Sequence, residues 1–196
     1  LSQTVQDCES IGREDGSSDG SADCGEKKDA AEIKGGKRKL RRNEKKLGEF
    51  PTDNVLLREA SGKDVMTLHS DDLYLNLALE QLYEAAEYFN ADVVHAGAFL
   101  QSLDGEIIGS DKPLKVMCWE NRLVKNFEVV PAAPEVRFKE WKHVDTFFDA
   151  QYNIYNRKFL LEENIFFPTW GGNPLFCLNW LMKAKIYVKT PDIFYI

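Results

Sequence analysis

Ala60-Ser-Gly-Lys-Asp-Val-Met-Thr-Leu-His-Ser-Asp-Asp-Leu-Tyr-Leu-Asn-Leu-Ala-Leu-Glu-Gln-Leu-Tyr-Glu-Ala-Ala-Glu-Tyr-Phe-Asn-Ala-Asp-Val-Val94 is the stretch whose reading decides the fold. A short apolar strand (Val65, Met66, Leu68) runs into two adjacent carboxylates, Asp71 and Asp72. Leu75, Leu79, Leu82, Ala86 and Phe89 then recur at three- and four-residue spacing and predict one apolar stripe of a helix. Ser70 or Asp72 is placed to cap its start, and Asn90 stands where a left-handed residue closes a helix. A second buried strand follows over Asp92–Ala96. In an open α/β sheet, ligands bind beyond the carboxyl ends of the strands. Two acids at such an end offer hard oxygen ligands to a divalent cation, and the cation in turn holds phosphate. Helix capping alone is the competing explanation of the same pair.

Outward from this unit, Leu56, Leu57 and Ala60 suggest a short helix closed by Gly62. Ala98 to Asp111 reads as a strand, a turn at Asp104-Gly105 and a second strand. From Lys112 to His143 the chain reads as irregular, broken by Pro113, Pro131 and Pro134. Asp145 to Glu162 mixes helical and extended spacing. Leu175 to Ala184 is helical, and Ile186, Val188 and Ile193 fall on a strand pair around Thr190-Pro191. Strands that alternate with helices predict an α/β fold with a mostly parallel sheet.

With 196 residues the chain fits one domain with a real core. A net charge of -7 argues against general nucleic-acid binding, which needs a basic surface. The basic run Lys34 to Lys46 reads as a solvated loop and edge strand. Cys8, Cys24, Cys118 and Cys177 lack the spacing of a zinc site or a disulfide framework, and reduced thiols fit a cytoplasmic protein. No apolar run has the length of a membrane span. The two ends of the sequence read as those of a fragment. His95 reads as a satisfied strand histidine and His143 as a surface residue. Of the four tryptophans, Trp119, Trp141 and Trp180 are expected in the core, while Trp170 is a candidate sugar-stacking ring.

The pieces, taken in order, resemble family-2 glycosyltransferases of the GT-A fold. Glu14-Asp-Gly-Ser-Ser-Asp-Gly-Ser21 is similar to the family's nucleotide loop. Asn43-Glu-Lys-Lys-Leu-Gly48 and Thr52-Asp-Asn54 fall at its Asn-Leu-Gly and Arg-Asn signatures, and His69-Ser-Asp-Asp72 at its metal-binding Asp-x-Asp. Tyr155 to Leu160 and Glu163 to Pro168 resemble the acceptor-side segment, and Ala184 to Val188 with Pro191 to Tyr195 its closing strands. The resemblance implies one GT-A domain over 1–196, with a nucleotide-sugar half at 1–96 and an acceptor half at 97–196. It also implies a sheet lacking the family's first strand, and a hexosyl-type transfer from a nucleotide-diphosphate sugar to a glycan or lipid-linked acceptor. Asp15, His69 and Asp71 would bind the donor, with Asp71 holding Mn²⁺ or Mg²⁺. Location in the cytoplasm or at the inner membrane face, in the service of a surface polysaccharide, follows from the same resemblance.

Several positions depart from the family pattern. His69 stands for the first acid of Asp-x-Asp and brings no negative charge. Asp53 replaces an arginine. Gly172-Asn173 replaces the Glu-Asp pair that carries the base, and an amide at Asn173 does not titrate near neutrality. A second expectation follows: a degenerate relative that binds nucleotide sugar or a partner without turnover.

Overall fold

In a computed structural model, residues 3–5, 7–17, 20, 23, 26–27, 30–70, 72–98, 126–142 and 150–195 are described. The chain order is β1 (Ser10–Glu14), α1 (Ala30–Lys34), β2 (Arg38–Arg42), α2 (Glu49–Glu59), β3 (Asp64–Val65), α3 (Ala78–Phe89) and β4 (Val93–Ala98). It continues with β5 (Glu128–Val130), α4 (Pro134–Lys142), a 3-10 turn (Ala150–Tyr152), β6 (Asn153–Asn156), α5 (Arg157–Glu162), α6 (Gly172–Lys183) and β7 (Tyr187–Tyr195). The hairpin expected over residues 98–111 lies, beyond Ala98, outside the described residues, as do Asp71, Trp119 and His143.

The fold is α/β with helices flanking sheet, as expected. Parallel pairing joins β1 to β2 and β4 to β7. The five-stranded sheet, ordered β3-β6-β4-β7-β5, is otherwise antiparallel, so it is mixed rather than mostly parallel. The reason lies in β6, which the mixed spacing of residues 145–162 left unassigned and which inserts antiparallel between β3 and β4.

Strand alternation divides the core in two. Val93, Tyr155, Tyr187 and Val130 face α6, where Trp180, Phe176 and Leu181 are fully buried. Val94, Ile154 and Val188 face the opposite side, against Ala78, Leu82, Ala85 and Ala86 of α3. The helix predicted from Leu75 begins at Ala78, and Leu75 itself is exposed. Neither Ser70 nor Asp72 caps it. Instead Gln3 Oε1 accepts the Leu79 N–H at 3.1 Å, and Gln3 Nε2 donates to the Leu75 carbonyl at 2.9 Å. Asn90 closes the helix in the left-handed conformation, as its position predicts (φ 48°, ψ 48°).

Two further expectations are corrected. The proline-broken stretch contains α4, because Pro134 sits at the first helical position, where a missing N–H costs nothing. The strand pair around Thr190-Pro191 is one strand, β7, paired with β5 only over Tyr187–Lys189. Against β4 its register shifts between His95 and Gly97, which takes Pro191 out of the regular ladder.

Candidate functional site

The loop after β1 carries Asp15. Its Oδ1 accepts from Asn43 Nδ2 at 2.8 Å and from the Leu47 N–H at 2.7 Å, and its Oδ2 accepts from the Gly48 N–H at 2.7 Å. These bonds, led by that from Leu47, hold the carboxyl below its ordinary range. Asn43 also donates to Thr52 Oγ1 at 3.1 Å and accepts from Arg13 at 2.9 Å, and Arg13 pairs with Glu59. The Asn-to-Gly signature is thus a hydrogen-bonded knot that fixes the start of α2. Gly48 precedes that helix at φ 94°, a conformation that favours glycine.

The next residue, Glu49, reaches the loop that follows β3. Its Oε1 lies 3.5 Å from His69 Nε2, while Asp72 Oδ2 lies 3.9 Å from the other ring nitrogen, Nδ1. Gln151, buried in the 3-10 turn, brings its Nε2 to 2.7 Å from His69 Nδ1 and 2.5 Å from Nε2. Tyr74 places its hydroxyl 2.6 Å from the carbonyls of both Thr67 and Gln151, tying the residues before His69 to the same turn. Burial pushes that phenol well above its ordinary range.

Phe50 completes the sequence of three. A Cβ on Gly172 would fall 2.3 Å from the Phe50 ring, and Gly172 holds a positive φ of 46°. Asn173, at the expected base position, is the residue after it on α6. Phe50 stacks on Phe167, which stacks on Phe176 at 4.0 Å. Asn54 clasps the Phe167 backbone from both sides, donating to its carbonyl at 2.7 Å and accepting its N–H at 2.8 Å. Trp170 stands 80% exposed in the turn just before.

Gly48, Glu49 and Phe50 therefore touch, one after another, the Asp15 loop, His69 and the helix that carries Asn173. Sequence motifs far apart in the chain meet at the first turn of α2. The chain belongs to glycosyl transferase family 2. That family's model matches residues 1–165. Solved structures agree in fold. The crystal structure of S. aureus TarS 1-349 in complex with UDP matches with a TM-score of 0.74 at 17% identity, over 99% of this chain and 52% of that one. The complex of the same protein with UDP-GlcNAc gives a TM-score of 0.74 at 17% identity, over 99% and 51%. This family-2 chain thus spans about half the length of those structures. Comparison with curated protein sequences gives no match.

Glu49 and Gln151 escaped the sequence reading. Glu49 directly follows the Gly48 signature and had a signal to offer; Gln151 lies in a segment of ambiguous spacing and had none. Among the described residues, no group of three His, Cys, Asp or Glu side chains is placed to hold a metal ion by itself. No helix among them is long and apolar enough to cross a membrane.

Proposed function

We propose that this family-2 chain binds a nucleotide-diphosphate sugar at the first turn of α2 and transfers the sugar to a glycan or lipid-linked acceptor. The observation that carries this reading is the convergence of the Asp15 loop, His69 and the start of α6 on Gly48, Glu49 and Phe50. In this reading residues 1–96 form the donor half and 97–196 the acceptor half. The Asp15 loop receives the nucleoside. The segment after β3 receives the diphosphate, and Asp71 in it is the residue assigned to a divalent cation. An imidazole facing a carboxylate there is a donor set that suits Mn²⁺ better than Mg²⁺. Such an ion neutralises charge on a leaving diphosphate. The UDP and UDP-GlcNAc in the TarS complexes make uridine nucleotides the first to try. Exposed Trp170, at the mouth of the acceptor side, offers a flat face to a sugar ring.

Calorimetric titration with a panel of nucleoside diphosphates, with and without Mn²⁺, tests the reading. Binding of one nucleotide that is lost in Asp15→Asn supports it, whereas silence from the whole panel on a folded chain refutes it. A second reading is favoured by Asn173, whose amide cannot serve as a base. The chain then binds the donor without turning it over. Donor binding with no sugar release over a day's incubation selects that alternative.

A further inference from the structure

Apart from Asn43, the basic run Lys34 to Lys46 supplies no side chain to the candidate site. It holds eight Lys and Arg and one Glu, a net charge of +7, so the remaining 183 residues carry -14. A chain so divided is repelled by an anionic surface except along this run, which therefore sets how the molecule lands on one.

The fold sorts these charges. Lys39 is paired with Glu9, and Arg42 with Asp23 and Glu26. Lys34, Arg41, Lys45 and Lys46 are exposed and have no ion-pair partner among the described residues. Lys34 closes α1 shortly before β2, Arg41 lies on β2, and Lys45 and Lys46 follow its end. β2 spans five residues, about 16 Å at the rise of a strand, so the free charges are spread along an edge of at least that length. β1 pairs with one side of β2, and no described strand covers the other. An edge strand is guarded against wrong pairing by charges on the strand itself. Here free cations stand beyond both of its ends as well, and Leu47, next to the last two, is 40% exposed.

We propose that this edge of the β1–β2 pair docks the chain on an anionic phospholipid surface, with Lys34, Arg41, Lys45 and Lys46 among the headgroups and Leu47 at the acyl boundary. Two observations favour lipid over another polyanion. Single nucleic-acid strands are held by aromatic rings that stack on bases, and residues 34–47 contain none. A soluble anionic polymer gains nothing from an exposed leucine, whereas a lipid interface takes up its side chain. The attachment is salt-sensitive, because charges at a surface are screened over about 10 Å in 0.1 M salt. The inference goes beyond the donor-site reading and rests on it for one consequence only. Lys46 packs on the Asp15 loop, where a Cβ on Gly16 would lie 3.3 Å from the Lys46 backbone nitrogen. Docking therefore carries the candidate donor site to the surface that holds a lipid-linked acceptor.

Sedimentation of the whole chain with vesicles, in the absence of nucleotide, tests the inference. One set is phosphatidylcholine alone, the other phosphatidylcholine with about a third phosphatidylglycerol, each in 0.1 M and 0.5 M salt. The wild type should bind only the anionic vesicles and leave them in 0.5 M salt. Each Lys or Arg at such a surface changes partitioning about fivefold. Lys34→Gln, Arg41→Gln, Lys45→Gln and Lys46→Gln combined should therefore weaken binding at least fiftyfold. A control that removes the same charge elsewhere, Lys63→Gln, Lys139→Gln, Lys158→Gln and Lys185→Gln combined, should stay within about threefold of the wild type. Circular dichroism confirms that both variants are folded. The inference is overturned by a wild type that ignores anionic vesicles, by equal losses in the two variants, or by tighter binding to a single-stranded oligonucleotide at equal phosphate concentration. Vesicle binding by a chain that takes up no nucleotide leaves the surface standing and the donor reading fallen. UDP binding without vesicle binding does the reverse.

Discussion

The β1–β2 pair and the five-stranded sheet are held by different forces. All five residues of β1 are half-buried, and β2 exposes Lys39, Arg41 and Arg42. What fixes this pair is a set of charged hydrogen bonds: Lys39 to Glu9 at 2.7 Å, Glu9 onward to the Ser61 N–H at 2.6 Å, Arg42 to Asp23 and Glu26, and Arg13 to Glu59. The larger sheet is fixed by Trp180, Tyr155, Tyr187, Phe176 and Val94, none more than 1% exposed. Apolar packing builds the frame, and polar tethers hang the candidate nucleotide loop from it. Interiors of the first kind resist salt and acid, while tethers of the second kind yield to both.

The sharpest way to confirm this contrast is Trp180→Ala. Trp180 packs edge-on against Tyr155 and Tyr187, and its loss is expected to cost roughly 3–5 kcal/mol. Urea unfolding followed by far-ultraviolet circular dichroism reads the cost, and a change under 1 kcal/mol would break the comparison. Next comes Gly172→Ala, where a methyl meets the Phe50 ring and the positive φ is strained. About 1–3 kcal/mol is expected, with part recovered in combination with Phe50→Leu; a neutral substitution would separate α6 from α2.

Glu9→Gln is smaller, roughly 1–2 kcal/mol at pH 7. Hydrogen bonds from Lys39 and then Ser61 lower the Glu9 carboxyl from 4.5 to about 2. A folded-state value below the unfolded one contributes stability that is full above pH 4.5 and lost as pH falls towards 2. The wild-type advantage over Glu9→Gln should therefore vanish across that window, and an advantage that persists at pH 2 would assign the effect to packing. Smallest is Arg42→Gln. Its partners are exposed, so thermal unfolding in 0.5 M salt should not distinguish it from the wild type.

The same contrast explains what could be read from the sequence. Periodicity reports apolar faces, so α3, β4 and α6 were legible from Leu82, Val93, Val94 and Leu181, and Asn90 announced its own turn. The polar half was legible only through resemblance, which placed the Asp15 loop and the Asn43-to-Gly48 signature in order. Local patterns failed where distant residues intervene. Gln3 caps α3 in place of Ser70 or Asp72, and Asn156, as the side-chain cap of α5, marks a strand-to-helix change within a segment of ambiguous spacing. Glu49 follows the Gly48 signature in the sequence, but its approach to His69 is set by α2.

Asp92 carries a consequence for how the chain is made. Its carboxylate accepts the N–H groups of Lys185 at 2.7 Å and Ile186 at 3.0 Å, residues 93 and 94 positions later, just where β7 begins beside β4. Closure over so long a loop is slow, because its entropy is lost before any contact repays it. On the ribosome, β4 emerges long before the strand that completes it, and β5 waits for that same strand. The nascent chain is most exposed to misassembly in that interval, and docking of β7 is the event that ends it.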